Sequence, residues 1–258
     1  MSIISVKGLS KNYDKATVLS NIDLEIQPGE VIGYIGPNGA GKSTTIKVLA
    51  GIIPDFTGDV KVLGHDIRTE ALEVKRRIGY IPENAALYET LTPMEYLQFI
   101  GQLYQLDKPV VTTRINELLQ LFELSKQTDA RMTSFSKGMR QKVLLIAGLL
   151  HNPEIIFLDE PLSGLDANAV ILVKEILVQL KKSGKTIFYS SHLMDVVEKI
   201  SDRIIILQKG QMIANGTFAE LTAAAHQGSL EAIFTQLTGN QEHHAVAEQF
   251  INALGTKS

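Results

Sequence analysis

Cysteine is absent from the 258 residues. That excludes a disulfide framework and any thiolate metal site, and it is compatible with a reducing compartment. A surplus of positive charge is also absent. Lysine and arginine total 25 against 28 aspartates and glutamates, for a net charge of −3, so the chain carries no electrostatic footprint for nucleic acid. Long apolar runs are missing too. The longest, Val143 to Leu150 counting Gly148, falls well short of the roughly 20 apolar residues that a spanning helix needs. Met1 to Lys7 lack the basic start and apolar stretch of a signal peptide. No internal repeat is visible. These absences predict a chain that does not itself cross a membrane; if it works at one, something else must span it. What is present is apolar material, 45% of residues, which excludes wholesale disorder and suffices for a large core.

The chain is organised around Gly36-Pro37-Asn38-Gly39-Ala40-Gly41-Lys42-Ser43, followed by Thr44. This is the G-x-x-x-x-G-K-[ST] spacing of a phosphate cradle. Glycines are needed because a backbone that wraps a phosphate adopts conformations a Cβ would block. Before it, Glu30 to Ile35 reads as a buried strand. After it, Ser43 to Ala50 reads as a helix ending at Gly51. The loop thus joins a strand to a helix N-terminus, where free amides and the dipole attract anions. Lys42 is placed to reach the terminal phosphates, and the Ser43 hydroxyl to bind Mg²⁺.

Residues 3–9 and 17–26 read as strands, the second alternating apolar and polar from Asn21 onward. Tyr13 is expected between them. It suits either stacking on a purine base or an ordinary surface turn, and both readings stay open on these residues. Gly58 to Gly64 and Arg76 to Ile81 read as further strands, with His65 in a loop between them. Thr92-Pro93-Met94-Glu95 is a helix start: a Thr cap, Pro at the first helical position and Glu three residues after the cap. Helical stripes then run to about residue 150, and Leu87-Tyr88 are candidates for an exposed docking surface. Strand–helix alternation resumes at Glu154-Ile155-Ile156-Phe157-Leu158-Asp159-Glu160 and continues through Thr186–Ser190 and Arg203–Leu207. That implies a mainly parallel sheet covered on both faces. Two helices follow from about residue 217, and the His243-His244 pair reads as a solvated tail.

Asp159 and Glu160 end an apolar strand near the cradle. Asp159 is placed to hold Mg²⁺ directly or through water. Glu160 points elsewhere and can accept a proton from an attacking water. His192 ends the next strand and can bond a γ-phosphate oxygen or position the water.

With these residues the chain resembles the nucleotide-binding subunit of an ABC transporter, over residues 3–240. Ser134 to Gln141 is similar to the family's signature motif, Ser163-Gly164-Leu165-Asp166 to its D-loop, His192 to its switch histidine, and Pro82-Glu83-Asn84 to its glutamine loop. Tyr13 falls at the family's adenine-stacking aromatic. The signature departs from the usual Leu-Ser-Gly-Gly-Gln, reading Phe135-Ser136-Lys137-Gly138-Met139, and Glu83 replaces glutamine. Ser136 and Gly138 keep a hydroxyl at a helix N-terminus and a bare backbone beside it; Ser136 is equally an ordinary N-cap. Lys137 adds a charge at the joint or points to solvent. A glutamate at 83 still offers Mg²⁺ a hard oxygen.

The resemblance implies an α/β fold: a P-loop NTPase core with a mainly parallel sheet, an N-terminal antiparallel β subdomain and a helical subdomain insert. The expected division is 1–84 with 151–216 for the core, 85–150 for the helical subdomain and 217–258 for a C-terminal helical extension. It further implies ATP and Mg²⁺ bound between two chains head to tail. Lys42, Ser43, Asp159 and Glu160 come from one chain, and Ser136, Gly138 and Asp166 from a second copy or a homologous subunit. A separate integral membrane permease would carry the cargo, export being the direction suggested, with this chain on the cytoplasmic face of the cell membrane. The alternative is a soluble ATPase of the same family that drives a cytosolic process such as cluster assembly.

Overall fold

The computed structural model describes residues 1–14, 16–84, 87–239, 249, 250 and 253. His243-His244 and most of the expected extension beyond 239 lie outside the described residues. Among them, no helix is long and apolar enough to cross a membrane.

β1 (Ile4–Tyr13) and β2 (Ala16–Ile26) pair antiparallel, from Ile4 opposite Ile26 to Tyr13 opposite Ala16. Tyr13 is therefore the last residue of a strand, not part of a free connection. In β2 the expected alternation holds: Ile22, Leu24 and Ile26 are buried while Asn21, Asp23 and Glu25 are exposed. β3 (Val31–Ile35), buried throughout, leads to α1 (Lys42–Leu49). β4 (Thr57–Val62) and the two-residue β5 (His65–Asp66) complete a four-stranded antiparallel sheet in the order β2-β1-β4-β5. His65 was expected in a loop. It instead pairs with Val62, and its Nδ1 lies 2.9 Å from Glu70 Oε1. The short α2 (Ala71–Lys75), not anticipated, precedes β6 (Ile78–Ile81).

Between β6 and the next strand the described residues form three α-helices, α3 (Pro93–Leu103), α4 (Lys108–Leu121) and α5 (Lys137–Leu149), with two short 3-10 turns between the last two. α3 begins with the capping box read from the sequence: Thr92 accepts from the Glu95 amide, and Glu95 accepts from the Thr92 amide. Leu97, Val111, Ile115, Leu119 and Val143 bury their apolar faces together. Leu87 joins that core, 7% exposed, while Tyr88 is 60% exposed. The expectation that both face outward therefore fails for Leu87. Amides of Met132 and Thr133 bond the carbonyls of Leu91 and Glu89, which straps this stretch against the helices and leaves Leu87 inside.

β7 (Ile155–Asp159), α6 (Ala167–Lys182), β8 (Thr186–Ser190), α7 (Met194–Ile200), β9 (Arg203–Gln208) and β10 (Gln211–Gly216) follow. α8 (Phe218–Ala225) and α9 (Leu230–Thr238) come next. The second sheet is six-stranded, in the order β10-β9-β3-β8-β7-β6. Only the β10–β9 pairing in it is antiparallel. Successive side chains on these strands serve opposite faces. Ile156, Leu158, Ile187 and Tyr189 join the core on the side of the inserted helices. Ile155, Phe157 and Phe188 join the one beneath the antiparallel sheet and α1. Parallel strands running β3-β8-β7 bring three carboxyl ends side by side, where ligands of open α/β sheets gather.

Candidate functional site

The cradle leaves the end of β3. Gly41 has φ of 107°, and no side chain caps α1. Its first amides are thus left without a partner side chain, as an anion site requires. Tyr13, Asn38, Gly39, Ala40, Gly41, Lys42, Ser43, Thr44, Glu83, Glu160 and His192 line one cavity of about 390 Å³. The Lys42 ammonium is buried and donates to the carbonyls of Gly36 at 2.7 Å and Pro37 at 3.3 Å. Burial pushes its pKa below the ordinary lysine value, opposed by the negative charges of Glu160, Asp159 and Glu83. Beside Tyr13, Lys11 Nζ sits 4.7 Å from the ring centroid and is tied to Asp55 at 2.8 Å. Tyr13 remains 45% exposed.

The two acids have different environments. Asp159 is 3% exposed and accepts from Ser190 Oγ at 2.8 Å. Ser190 Oγ in turn accepts from the Glu160 amide at 3.1 Å. The parallel register explains this, since Asp159 stands directly opposite Ser190. Glu160 has a left-handed backbone, φ 50°, which ends the strand and turns its side chain away from that of Asp159. The His192 amide donates to Glu160 Oε2 at 3.2 Å. His192 Nε2 lies 3.1 Å from Oε1, yet Oε1 is buried and completes no hydrogen bond. Burial pushes the Glu160 carboxyl above its ordinary range; the charges of His192 and Lys42 pull the other way. A buried carboxylate oxygen with an open lone pair beside a phosphate cradle can accept a proton from water.

Ser136, Gly138 and Asp166 do not line this cavity. Ser136 caps α5, accepting from the Met139 amide at 3.2 Å. Asp166 caps α6, accepting from the Ala169 amide at 2.9 Å. Two residues that sequence reasoning left unassigned are buried at the joints. Ser190 bridges both acids, and Gln141, 2% exposed, donates to the Pro161 carbonyl at 3.3 Å. Ser190 was legible as the end of an apolar strand, but its bridging role was not. Gln141 was not legible, since its apolar surroundings are tertiary.

A phosphate cradle at the end of a central parallel strand, with acids at a neighbouring strand end, defines a P-loop nucleoside-triphosphate hydrolase. The ABC transporter family model matches residues 19–163, the greater part of the chain, and the chain belongs to that family. The linearmycin resistance ATP-binding protein LnrL of Bacillus subtilis is 37% identical over 219 residues, covering 85% of this chain and 70% of that protein. The solved ATP-binding subunit of an ABC transporter superposes with a TM-score of 0.85 at 32% identity, covering 92% of this chain and 99% of that one. An ATP-binding cassette solved as a post-hydrolysis dimer with ADP and Pi superposes with a TM-score of 0.78 at 25% identity, covering 83% and 98%. The chain is an ATPase of the ABC transporter family.

Proposed function

We propose that this ATPase powers a separate membrane permease by closing and opening a head-to-tail dimer around ATP. One observation carries the reading. The cradle, Glu160 and His192 share a cavity, whereas the signature and D-loop residues, which the family places at nucleotide, lie outside it. A single chain therefore presents two halves of a site that do not meet. The likeness to a cassette solved as a dimer with ADP and Pi supports joining them across two chains.

In this reading Tyr13 stacks on the adenine, with Lys11 covering its other face. The amides of Gly39 to Thr44 and the Lys42 ammonium hold the phosphates. The residues suit Mg²⁺: Ser43, Asp159 and Glu83 supply hard oxygens. When bound, the ion neutralises phosphate charge during transfer. Glu160 accepts the proton of the attacking water, and His192 fixes the Glu160 side chain and faces the γ-phosphate. Ser136, Gly138 and Asp166 of a second chain complete the far wall. ATP links the two chains, and loss of the outer phosphate removes the link; this differential binding of two states is what a nucleotide switch requires.

The permease would dock where β6 meets the inserted helices. A groove of about 350 Å³ lies there, lined by Ile52, Tyr80, Tyr96, Ile100 and Leu144 among others. The exposed Tyr88 extends it, 6.5 Å from Tyr96 between ring centroids. An amphipathic helix fits such an apolar groove. Similarity to a resistance ATP-binding protein supports export over a cytosolic machine; in this reading the chain sits peripherally at the cytoplasmic face of the membrane, held there by the permease. The test is purification of Glu160→Gln in ATP-Mg²⁺, expected as a dimer carrying a multi-span membrane protein. A monomer at saturating nucleotide counts against the dimer; a soluble partner alone reverses the choice of transport.

A further inference from the structure

Lys137 stands where the family's signature carries a small glycine. It is also the first residue of α5, where the helix dipole opposes a positive charge. Helix stability therefore does not explain a lysine here. Its surroundings do. Lys137 Nζ donates to Ser163 Oγ at 2.9 Å. Its aliphatic stem lies beneath Gly164: a Cβ there would stand 2.8 Å from Lys137 Cδ and 2.9 Å from Cγ, and Gly164 has φ of +77°. One residue along, a Cβ on Gly138 would stand 2.7 Å from the Gly164 carbonyl oxygen. One helical turn further, buried Gln141 donates to the Pro161 carbonyl at 3.3 Å. The first turn of α5 and the segment 161–164 thus meet along a continuous seam within one chain.

We infer that Lys137 is a positioning residue that clamps the D-loop onto the signature turn in cis, so that Ser136 and Asp166 are presented to a neighbouring chain's nucleotide as one rigid unit. The inference rests on the head-to-tail reading above. Rigid presentation matters because both groups must reach a nucleotide held by another molecule, and each loose segment adds an ordering cost on closure. Lysine does this in two parts: its stem fills the space over Gly164, and its ammonium fixes the Ser163 hydroxyl. The charge is then spent within the chain, on Ser163.

The test uses Lys137→Met, Lys137→Arg, Ser163→Ala and the Lys137→Met/Ser163→Ala pair, each in a Glu160→Gln parent that holds ATP. Dimer dissociation is measured in ATP-Mg²⁺. Lys137→Met keeps the stem and loses the donor, so the dimer should weaken about fivefold, the scale of one charge-assisted hydrogen bond partly open to water. Ser163→Ala should weaken it equally, and the pair should be no worse than either. Lys137→Arg should return to within about twofold of the parent, since a guanidinium also donates. ATP affinity of the separated chain should not change in any variant. Losses that multiply in the pair overturn the clamp. So does Ser163→Ala at the parental value beside a weakened Lys137→Met, which would assign the ammonium to the neighbour's phosphate directly. If the Glu160→Gln parent itself stays monomeric in ATP, the head-to-tail reading fails first. The clamp is then read in the monomer, from amide hydrogen exchange across 161–166. Lys137→Met and Ser163→Ala should each speed that exchange about fivefold, and unchanged exchange in both overturns it.

Discussion

Glu160, the proton acceptor in the proposed reaction, also bears on stability. Its carboxyl is held above the ordinary range by burial, so the folded chain binds a proton there more tightly than the unfolded chain does. Linkage then fixes the sign. Below the ordinary glutamate pKa both states are protonated and no penalty exists; as pH rises through the elevated folded value, the fold loses stability. Glu160→Gln removes the titration. The nucleotide-free variant should therefore melt above the native protein at pH 8, and the gap should close as pH falls below the ordinary carboxylate range. Thermal melts from pH 4 to 8 check this, and a pH-independent gap would show that the buried charge carries no cost. Lys42 is the complementary case, a buried ammonium whose present partners are two backbone carbonyls. Lys42→Ala should weaken ATP binding by about a hundredfold, since a charge-assisted contact to phosphate is lost, measured by titration with a fluorescent nucleotide. Glu83 lines the same cavity. If Glu83 contacts Mg²⁺ as proposed, Glu83→Gln should keep turnover within about tenfold, because either side chain offers a metal an oxygen; complete loss would refute an interchangeable role.

At the level of elements, α5 reaches the central sheet through a glycine contact. A Cβ on Gly79 of β6 would overlap the Gly148 carbonyl oxygen of α5, and one on Gly148 would meet Ile81 Cδ1. The inserted helices therefore rest on β6 at a distance only a bare backbone permits. Gly79→Ala should cost about 2 kcal/mol, as an overpacked core does, and lower Tm by about 4–8 °C in a thermal melt. Isolated caps act more locally: Thr92→Ala removes a reciprocal capping box and should cost about 1 kcal/mol. Most elements were legible because local pattern and tertiary role agreed. The box at Thr92-Glu95, the alternation of β2 and the apolar runs of β3 and β7 each carry their own signal. Gln211–Gly216 carries none: its residues are half-exposed or exposed except Gly216, and it becomes a strand only by pairing with β9. Leu87 misled for the opposite reason, since its burial depends on bonds from Met132 and Thr133 some forty residues on. The candidate site was readable as motifs. The left-handed turn at Glu160, the Ser190 bridge and the grip of Lys137 on Ser163 were not, because each is a relation between segments distant in sequence.

For the whole molecule, the separation of Ser136 and Asp166 from the P-loop cavity has a testable arithmetic. Suppose each working site takes Lys42 from one chain and Ser136 from another. A Lys42→Ala chain then has no working site with itself, because neither site holds phosphate. A Ser136→Ala chain has none with itself, because neither site is closed. Mixed one to one, half the dimers pair unlike chains, and each such pair contains one site with both residues intact and one with neither. The mixture should thus recover up to about a quarter of native ATPase activity, given two equivalent sites in a two-fold dimer. A site held within one chain gives a different pattern: Ser136→Ala would turn over alone at the native rate, and adding Lys42→Ala would do nothing. Steady-state phosphate release from the two variants, separate and mixed, distinguishes these cases without any knowledge of the cargo. Recovery well below a quarter, with mixed dimers present by mass, would mean that one intact site cannot fire beside a dead one. The γ-phosphates would then act as a pair, and the permease would receive one stroke from two nucleotides.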